Sequence, residues 1–483
     1  MPEIRYICLS DLHLGADNSL LTRLGSRPGE VDPAQPSEVL LQLANCLREL
    51  VHHSHTQVPP TLILNGDALE LALTQDNVAL MVFERFMELM FPAAGPPLIA
   101  PRLLLNPGNH DHHLWEIARE TQYIEFLEGK RSKVPDRALP PPWHTTSIFN
   151  RRPVNSVLLN AIISRHPHMA SQGVSVGTVY PNLCLKNENK WVIFSHGHYI
   201  ESIYWLMSSL SDFVFPRRQR PTSIGDVETE NFAWIDFFWS AMGRSGAAGE
   251  SIEQIYDMLL VPHARHKLIR RLARAAGHHW IARAPRLGEW LGLLSVPFIS
   301  ILLNRVAVLE KVRTGTPLSR KARQGLKAYS QKAYIEGPLA AQINDERNHP
   351  MPAQTAFVFG HTHKPFAQTM DYRDFPPSMA VYNTGGWVVD TEQTEPAHGG
   401  AIVVLDDDFN LASLRMYNEA RNAHDYRVRV EALDSSSNPL YTHLAQLVNS
   451  NTDPWRSFSQ AVAANIERYH ESFRHRLSMA GVV

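Results

Sequence analysis

The chain has 483 residues, of which 44% are hydrophobic and 19% are charged, and this composition excludes an intrinsically disordered protein. A chain of this length can bury a large core, either as two or three domains or as one α/β domain with insertions. The formal net charge of −2 indicates neither a nucleic acid nor a membrane as the partner.

The cysteine content and the N-terminal residues indicate in which cellular compartment the protein is expected. The three cysteines are far apart in the sequence, so we expect neither a disulfide framework nor a zinc–cysteine site, which fits a reducing compartment. A strand-like run begins almost directly after Met1, unlike a signal peptide. We therefore expect a cytoplasmic protein, with peripheral membrane contact as an open alternative.

The first 111 residues alternate between two kinds of element. Buried strands are predicted over 4–10, 61–67 and 102–111, and helices with apolar residues at helical spacing over 37–53 and 77–91. This alternation is typical of a layered α/β domain, in which ligands collect beyond the carboxyl ends of the strands.

Strand patterns return later in the chain, over 191–198, 356–365, 379–387 and 400–409. A long helix is predicted over 453–477. The stretch between the two strand-rich parts differs in character, because it looks helical and alternates apolar-aromatic with basic segments.

These patterns divide the chain into four segments. The core is predicted in two parts, 1–200 and 350–418, separated by a mainly helical insertion over 201–349 and followed by a helical tail over 419–483. Because the insertion leaves and rejoins the core near predicted strand ends, we expect it to form a cap beside them.

Polar residues with metal-binding side chains stand at the predicted strand ends. Carboxylate, amide oxygen and imidazole suit manganese, iron, zinc or similar divalent ions, and the absence of cysteine argues against a purely soft site. Seven such ligands are too many for one ion and about right for two. One carboxylate must then bridge the two ions, and Asp67, at the end of the second predicted strand, is the natural candidate. The seven are Asp11, His13, Asp67, Asn109, His196, His361 and His363.

Two ions about 3.5–4 Å apart can hold a shared hydroxide as the nucleophile and bind the phosphate oxygens that it attacks. His110, next to the predicted ligand Asn109, could donate a proton to the leaving oxygen or stabilise charge there. Asp111 could orient His110 and set its tautomer. His112 and His113 are expected on the surface, at the start of a helix.

Five short motifs occur in one order, each after an apolar run, and together resemble the calcineurin-like metallophosphoesterases. The resemblance covers about 1–200 and 353–410, and it implies a β-sandwich of two mixed sheets flanked by helices. The motifs are DLH (11–13), GD (66–67), GNHD (108–111), HGH (196–198) and GHTH (360–363).

The resemblance also implies how the ligands divide between two transition-metal ions, with manganese expected first and iron, zinc or nickel as alternatives. One ion would be bound by Asp11, His13, Asp67 and His363. The other would be bound by Asp67, Asn109, His196 and His361.

The motifs do not determine the substrate. SDLHLG (10–15) and GHTHKP (360–365) are similar to the branch that contains the UDP-diacylglucosamine pyrophosphohydrolases, but that branch usually carries arginine where this chain has His110. We expect hydrolysis of a phosphate ester or pyrophosphate, lipid-linked or nucleotide-linked. Whether the enzyme is a monoesterase, a diesterase or a pyrophosphatase stays open, as does its oligomeric state.

Two other functions are weighed against this one. A DNA nuclease or phosphodiesterase similar to the double-strand-break repair exonucleases would share the motifs, and the balanced charge disfavours it. A non-catalytic scaffold is disfavoured because no ligand is missing. Seven Lys or Arg residues and no acid lie in 263–286, and an apolar run follows at 290–303, so 263–303 could contact anionic lipid. The same cations could contact nucleic acid, a less favoured partner.

Overall fold

The structure is a computed structural model that describes residues 2–27, 29–54, 58–130, 139–149, 152–200, 202–236, 258, 262–280, 331–449 and 451–479. The chain is an α/β protein with two main mixed sheets and flanking helices, which confirms the predicted fold class. Of the predicted lipid-contacting stretch 263–303, only the part up to residue 280 lies within the described residues.

Fifteen strands build the described sheets. In chain order they are β1 (Ile4–Leu9), β2 (Thr22–Leu24), β3 (Val31–Pro36), β4 (Thr61–Leu64), β5 (Arg102–Leu105), β6 (Val154–Asn155), β7 (Ser175–Thr178), β8 (Asn182–Lys186), β9 (Lys190–Ser195), β10 (Gln354–Phe359), β11 (Phe366–Met370), β12 (Met379–Asn383), β13 (Gly399–Asp406), β14 (Leu411–Asn418) and β15 (Arg429–Glu431).

The larger sheet has eight strands in the order β15-β14-β13-β1-β4-β5-β7-β6, and the smaller has five in the order β11-β12-β10-β9-β8. β1, β4, β5 and β7 run parallel to one another, as do β9, β10 and β12. The remaining neighbours are antiparallel, and β2 and β3 form a separate ribbon. Parallel strands bring their carboxyl ends to one edge, and this arrangement positions the site.

Eleven α-helices in the described part of the chain flank the sheets. They are α1 (Glu38–His52), α2 (Asp76–Met90), α3 (His112–Lys130), α4 (Val157–Ser164), α5 (Pro167–Ser171), α6 (Leu206–Val214), α7 (Ile224–Asp236), α8 (Pro262–Trp280), α9 (Ala340–Glu346), α10 (Pro439–Leu447) and α11 (Trp455–Met479). A π-type turn covers Gln331–Leu339, and short 3-10 turns cover His198–Ile200, Ser202–Trp205 and Ala423–Asp425.

Three apolar clusters hold these layers together. The first packs α1, α2 and α11 on the outer face of the eight-stranded sheet. The second lies between the two sheets and contains residues of both. The third packs α7, α9 and the turn Gln331–Leu339 on the outer face of the five-stranded sheet. Helices α7 and α9 of the insertion therefore form an outer layer of the fold.

The predicted elements match the observed ones best where the apolar pattern is long. The strand predicted over 4–10 is β1, and the helices predicted over 37–53 and 77–91 are α1 and α2. The predicted strands 61–67 and 102–111 end earlier, at Leu64 and Leu105, because the polar residues that follow belong to loops.

No helix in the described part of the chain is long and apolar enough to cross a membrane. The apolar run 290–303 lies outside the described residues. Cys8, Cys46 and Cys184 are all free and buried, as expected for a chain without a disulfide framework.

Candidate metal centre

Polar side chains gather at one edge of the sandwich, where the parallel strands of both sheets end. Asp11 and His13 follow β1, Asp67 follows β4, Asn109 and His110 follow β5, His196 follows β9, and His361 and His363 follow β10. All eight are at most 3% exposed.

Hydrogen bonds fasten the two sheets together at this edge. The Asn65 side-chain amide, on the loop after β4, donates to the carbonyl of Ser195 at the end of β9, at 3.0 Å. The backbone N–H of His361 donates to both carboxylate oxygens of Asp11, at 3.0 and 2.9 Å. The loops of one sheet are thus positioned by those of the other.

Most of the predicted ligands have a left-handed backbone, which non-glycine residues adopt rarely. Such residues cost about 1–3 kcal/mol each and persist where the surrounding structure compensates, typically at functional sites. Here the N–H of Asp11 donates to the Gly66 carbonyl, and that of His13 to the Asp67 carbonyl, both at 2.9 Å. The predicted ligands with φ between 44° and 67° are Asp11, His13, Asp67, His361 and His363.

The distances divide the predicted ligands into two groups. One ligand atom from each of Asp11, His13 and His363 lies within 4.8 Å of the others. In this group, His363 Nε2 is 3.4 Å from Asp11 Oδ1.

The second group has the same spacing, with ligand atoms of Asp67, His196 and His361 all within 4.8 Å of one another. His196 Nε2 is 3.1 Å from Asp67 Oδ2 and 3.3 Å from the side-chain oxygen of Asn109. The structure thus brings Asn109 beside this group.

Asp67 lies between the two groups. Its Oδ2 atom is 3.1 Å from His196 Nε2 on one side and 3.7 Å from His13 Nε2 on the other. Its Oδ1 atom accepts a hydrogen bond from the backbone N–H of His110 at 2.8 Å. One carboxylate therefore faces both groups at once, which is the geometry that a bridging ligand needs.

Three of the histidines are held in one orientation. Each has an oxygen acceptor at Nδ1, so Nδ1 donates a hydrogen bond and Nε2 is the nitrogen left to bind an ion. In each, Nε2 is the atom that faces Asp11 or Asp67. The Nδ1 pairs are His13 with Glu70 at 2.8 Å, His196 with the Asn65 carbonyl at 3.1 Å, and His363 with Asp390 at 3.0 Å.

Two of these Nε2 atoms make no hydrogen bond within the described residues. They belong to His13 and His363 and are buried, and buried nitrogen atoms seldom lack a hydrogen bond. Imidazole Nε2 atoms, carboxylates and an amide oxygen form the donor set that divalent transition-metal ions prefer. The residues present therefore fit a pair of such ions.

Glycines keep this edge compact. A Cβ atom added at Gly66 or Gly108 would collide with the His196 ring, and one at Gly386 would collide with the His363 ring. Gly66 also has φ = 91°, which side chains disfavour. The GD and GNHD motifs thus require glycine because the His196 ring lies against the backbone at both positions.

The charges at the site compensate one another. Burial raises the pKa of Asp67, but the nearby His196 and His110 outweigh this and hold it well below its usual value. Burial lowers the pKa of His196, but the carboxylates of Asp67 and Asp11 raise it further, to about 9. Carboxylates this deeply buried need adjacent positive charge, which divalent cations also supply.

His110 is oriented by Glu70, and the predicted role of Asp111 is wrong. His110 Nδ1 lies 2.9 Å from Oε1 of Glu70. The other carboxylate oxygen of Glu70, Oε2, accepts a hydrogen bond from His13 Nδ1. Burial raises the pKa of Glu70, yet His110 and His13 lower it far more. Glu70 therefore stays ionised.

Asp111 instead organises the loops around the site. Its Oδ1 accepts from the backbone N–H groups of Gly108 at 2.6 Å and Asp67 at 3.2 Å. Its Oδ2 accepts from those of Ala68 at 2.8 Å and Leu69 at 3.4 Å. The side chain turns back toward the amides of its own loop and that of Asp67.

Glu70 and Asp390 are missed by the sequence reasoning. Each is at most 5% exposed and binds two histidines: Glu70 holds His13 and His110, and Asp390 holds His363 and His398, the latter at 3.1 Å. The only local signal is that Glu70 follows the bridging aspartate by three residues. Asp390 lies 27 residues beyond His363, and no motif marks it.

The insertion meets this edge through a buried carboxylate, Glu228 on α7. Its oxygens accept from His112 at 2.9 Å, from the Tyr180 hydroxyl at 3.0 Å, and from the Tyr199 hydroxyl. His112 is fully buried, so the expectation that it lies on the surface is wrong; His113 is partly buried, 3.1 Å from Glu116.

His198 connects Glu228 to the predicted ligands. Because the Tyr180 hydroxyl donates to Glu228, His198 Nε2 donates to the Tyr180 oxygen at 3.3 Å. The His198 ring centroid is 5.6 Å from that of His196. Burial, together with His196 and His361, lowers the pKa of His198 well below its usual value, so its imidazole is neutral.

The C-terminal helix α11 reaches the same edge. Arg476 pairs with Asp17 at 2.5 Å, and His470 Nδ1 donates to the carbonyl of Thr391 at 2.9 Å, so α11 lies beside the loops that carry His13 and Asp390. Phe473 and Leu477 pack against Ala264 and Leu268 of α8, among others. A second insertion helix is thereby held near the site.

Neither the protein-family models nor the curated proteins compared with this chain give a match. The function is therefore inferred from the motif pattern and the geometry of this edge.

The bonding of Asp111 generates a prediction. Asp111→Asn replaces one carboxylate oxygen by an NH2 group that cannot accept from backbone N–H groups, leaving at least one buried donor unpaired. We expect a loss of about 1–3 kcal/mol in unfolding free energy, measured by urea denaturation. Asp408→Asn, in an exposed turn, is the control. An Asp111→Asn protein as stable as wild type but inactive would restore the orienting role that we reject.

Proposed function

We propose that this protein is a two-metal phosphoesterase, similar to the calcineurin-like metallophosphoesterases, that hydrolyses a P–O bond of a phosphate ester or pyrophosphate. The observation that carries the proposal is the position of Asp67 between two groups of buried ligand atoms. The fixed orientations of His13, His196 and His363 support it, because all three rings direct Nε2 into the same space.

The residues would divide between the ions as the distances suggest. Asp11, His13, His363 and Asp67 would hold one, and Asp67, Asn109, His196 and His361 the other. The donor set suits manganese first, with iron, zinc or nickel as alternatives. When bound, two such ions supply an activated water nucleophile and neutralise charge on the phosphate.

His110 is the residue that we assign to the leaving group. Its backbone N–H is fixed by Asp67 at 2.8 Å, and its Nδ1 is fixed by Glu70 at 2.9 Å. A carboxylate at Nδ1 stabilises the imidazolium, so the opposite nitrogen can carry a proton toward the departing oxygen. His110 would thus act as the general acid and Glu70 as the residue that positions it.

We propose that the insertion selects the substrate. Tyr204, in the turn after His198, lies with its ring 5.8 Å from that of His361, and Glu228 fastens α7 beside the site. A wall of aromatic and polar residues at the edge of the centre suits a substrate with an apolar or aromatic body attached to its phosphate.

Helix α8 supports an anionic, lipid-linked substrate. Its apolar face is buried against α11, and its exposed face carries Lys267, Arg270, Arg271 and Arg274. No acidic residue lies between positions 262 and 280. A one-sided basic helix of this kind is typical of contact with anionic lipid headgroups, and we favour that partner over nucleic acid.

The first prediction here concerns metal content. After reconstitution with manganese, the protein should hold close to two ions per chain, measured by inductively coupled plasma mass spectrometry. Asp67→Ala should lower that number and abolish hydrolysis, because it removes the carboxylate shared by both groups. Asp408→Ala is the matched control. A wild-type protein that takes up no metal would contradict the proposed function.

The second concerns His110. His110→Ala should lower kcat by about 10²–10⁴-fold while metal content stays near wild type, because general acid catalysis is worth that much. The loss should be larger for an alkyl phosphate than for a nitrophenyl phosphate, whose leaving group needs no proton. His424→Ala, at an exposed histidine, serves as control. An equal loss for both esters would exclude a general acid role.

The third concerns the basic face of α8. Replacement of Arg270, Arg271 and Arg274 by alanine should weaken binding to anionic liposomes and hydrolysis of a UDP-linked lipid, while hydrolysis of a nitrophenyl phosphate changes little. The same assays with single-stranded DNA, and with Asp67→Asn as the blank, distinguish a nuclease. If the triple variant loses DNA hydrolysis but still binds anionic liposomes, the result would favour the nuclease.

A further inference from the structure

A second cavity lies at the opposite end of the sandwich from the candidate metal centre. It has a volume of about 850 Å³. Its walls include Thr61, Arg102 and Ser175, the first residues of β4, β5 and β7, whereas the predicted metal ligands follow the last residues of strands in the same sheet. The cavity is therefore separate from the site already described.

The floor of this cavity is the open end of the core between the two sheets. Tyr6, Leu104, Leu185 and Phe409 pack against that core but are only partly buried, and all four line the cavity. At this end the two sheets leave apolar side chains accessible between them. Apolar surface in a cavity of this size is typical of a small-molecule site.

The polar lining that the described residues contribute contains no acid. The cations Arg102, Arg152 and Lys186 line the cavity, and none of its described lining residues is aspartate or glutamate. Arg102 shares a strand face with Leu104, two residues on, so it faces the space between the sheets. Within the described residues, neither Arg102 nor Lys186 is in a salt bridge.

Lys186 is held at the cavity by aromatic rings. Its Nζ atom lies 4.2 Å from the ring centroid of Phe149 and 5.3 Å from that of Trp191. These contacts fix the ammonium group without neutralising it, since an aromatic face carries no net charge. A fixed cation with no acidic partner is ready to bind an anion.

We propose that this cavity is a binding site for a small amphiphilic anion, with an acidic headgroup on Arg102 and Lys186 and an apolar body against Tyr6, Leu104, Leu185 and Phe409. The volume suits a small molecule, and the combination of cations with accessible apolar side chains favours an amphiphilic anion over a purely polar one. A carboxylate and a phosphate share the chemistry that these cations recognise.

Isothermal titration calorimetry on the full-length protein tests the proposal with four probes. Decyl phosphate and decanoate carry both features, decanol lacks the charge, and inorganic phosphate lacks the apolar body. All four are titrated, below micelle formation, into the Asp67→Asn protein, so that binding of the phosphate probes at the candidate metal centre is weakened. We expect at least one amphiphilic anion to bind tenfold or more tightly than both decanol and inorganic phosphate, and the better of the two identifies the headgroup.

Charge reversal supplies the second arm. Arg102→Glu and Lys186→Glu should each weaken binding of the preferred probe at least tenfold, whereas Arg48→Glu, on the exposed face of α1, should leave it unchanged. Arg102 is exposed, so its replacement should not unfold the protein, and circular dichroism checks this. If Arg102→Glu does unfold the protein, Arg102→Gln is used in its place. Equal binding of decanol and the anions, or binding unaffected by both reversals, would overturn the proposal, as would absence of binding by any probe.

Discussion

The arrangement of the candidate centre depends on one constraint, which is the burial of two carboxylates where the two sheets meet. Asp11 and Asp67 are 0% and 1% exposed, and a carboxylate so far from water is stable only beside positive charge and hydrogen-bond donors. Both are provided by neighbouring loops, as backbone N–H groups and as histidine rings. The strained backbone of the loops and the glycines that clear room for the rings follow from this requirement.

The same constraint extends one shell outward. Glu70 and Asp390 each bind two histidines, so each of them ties a predicted ligand to a second imidazole. Glu70 couples His13, a predicted ligand, to His110, the assigned acid. A change at Glu70 therefore alters ligand orientation and proton transfer together, and kinetic data on that residue cannot be assigned to either alone.

The sequence identifies the strand-end residues well because the signal is local. An apolar run followed by Asp, His or Asn marks a buried strand that opens into a loop, and this pattern places Asp11 and His196 at one edge. Partners that arrive from elsewhere leave no such mark: Glu228 lies 116 residues from His112, and Asp390 lies 27 from His363. Only the fold brings them together.

Asp111 shows a different limit of local reasoning. Adjacent side chains on a tight loop point in different directions, so the neighbour of a catalytic candidate need not contact it. Asp111 turns toward backbone amides, and a residue on another loop, Glu70, takes the orienting position. Strands without a long apolar run are also hard to predict, and β6 and β7, with the sequences VN and SVGT, are of this kind.

The way Glu228 is held bears on the role in substrate selection that we propose for the insertion. Its carboxylate is fully buried and accepts hydrogen bonds from three parts of the core, near the start of α3, before β8 and after β9. Lifting α7 away would break these hydrogen bonds and leave three buried donors of the core, on His112, Tyr180 and Tyr199, without their acceptor, at a cost of several kcal/mol. The described part of the insertion near the site is therefore a fixed wall, and the selectivity that we propose for it would come from shape and charge that exist before the substrate arrives.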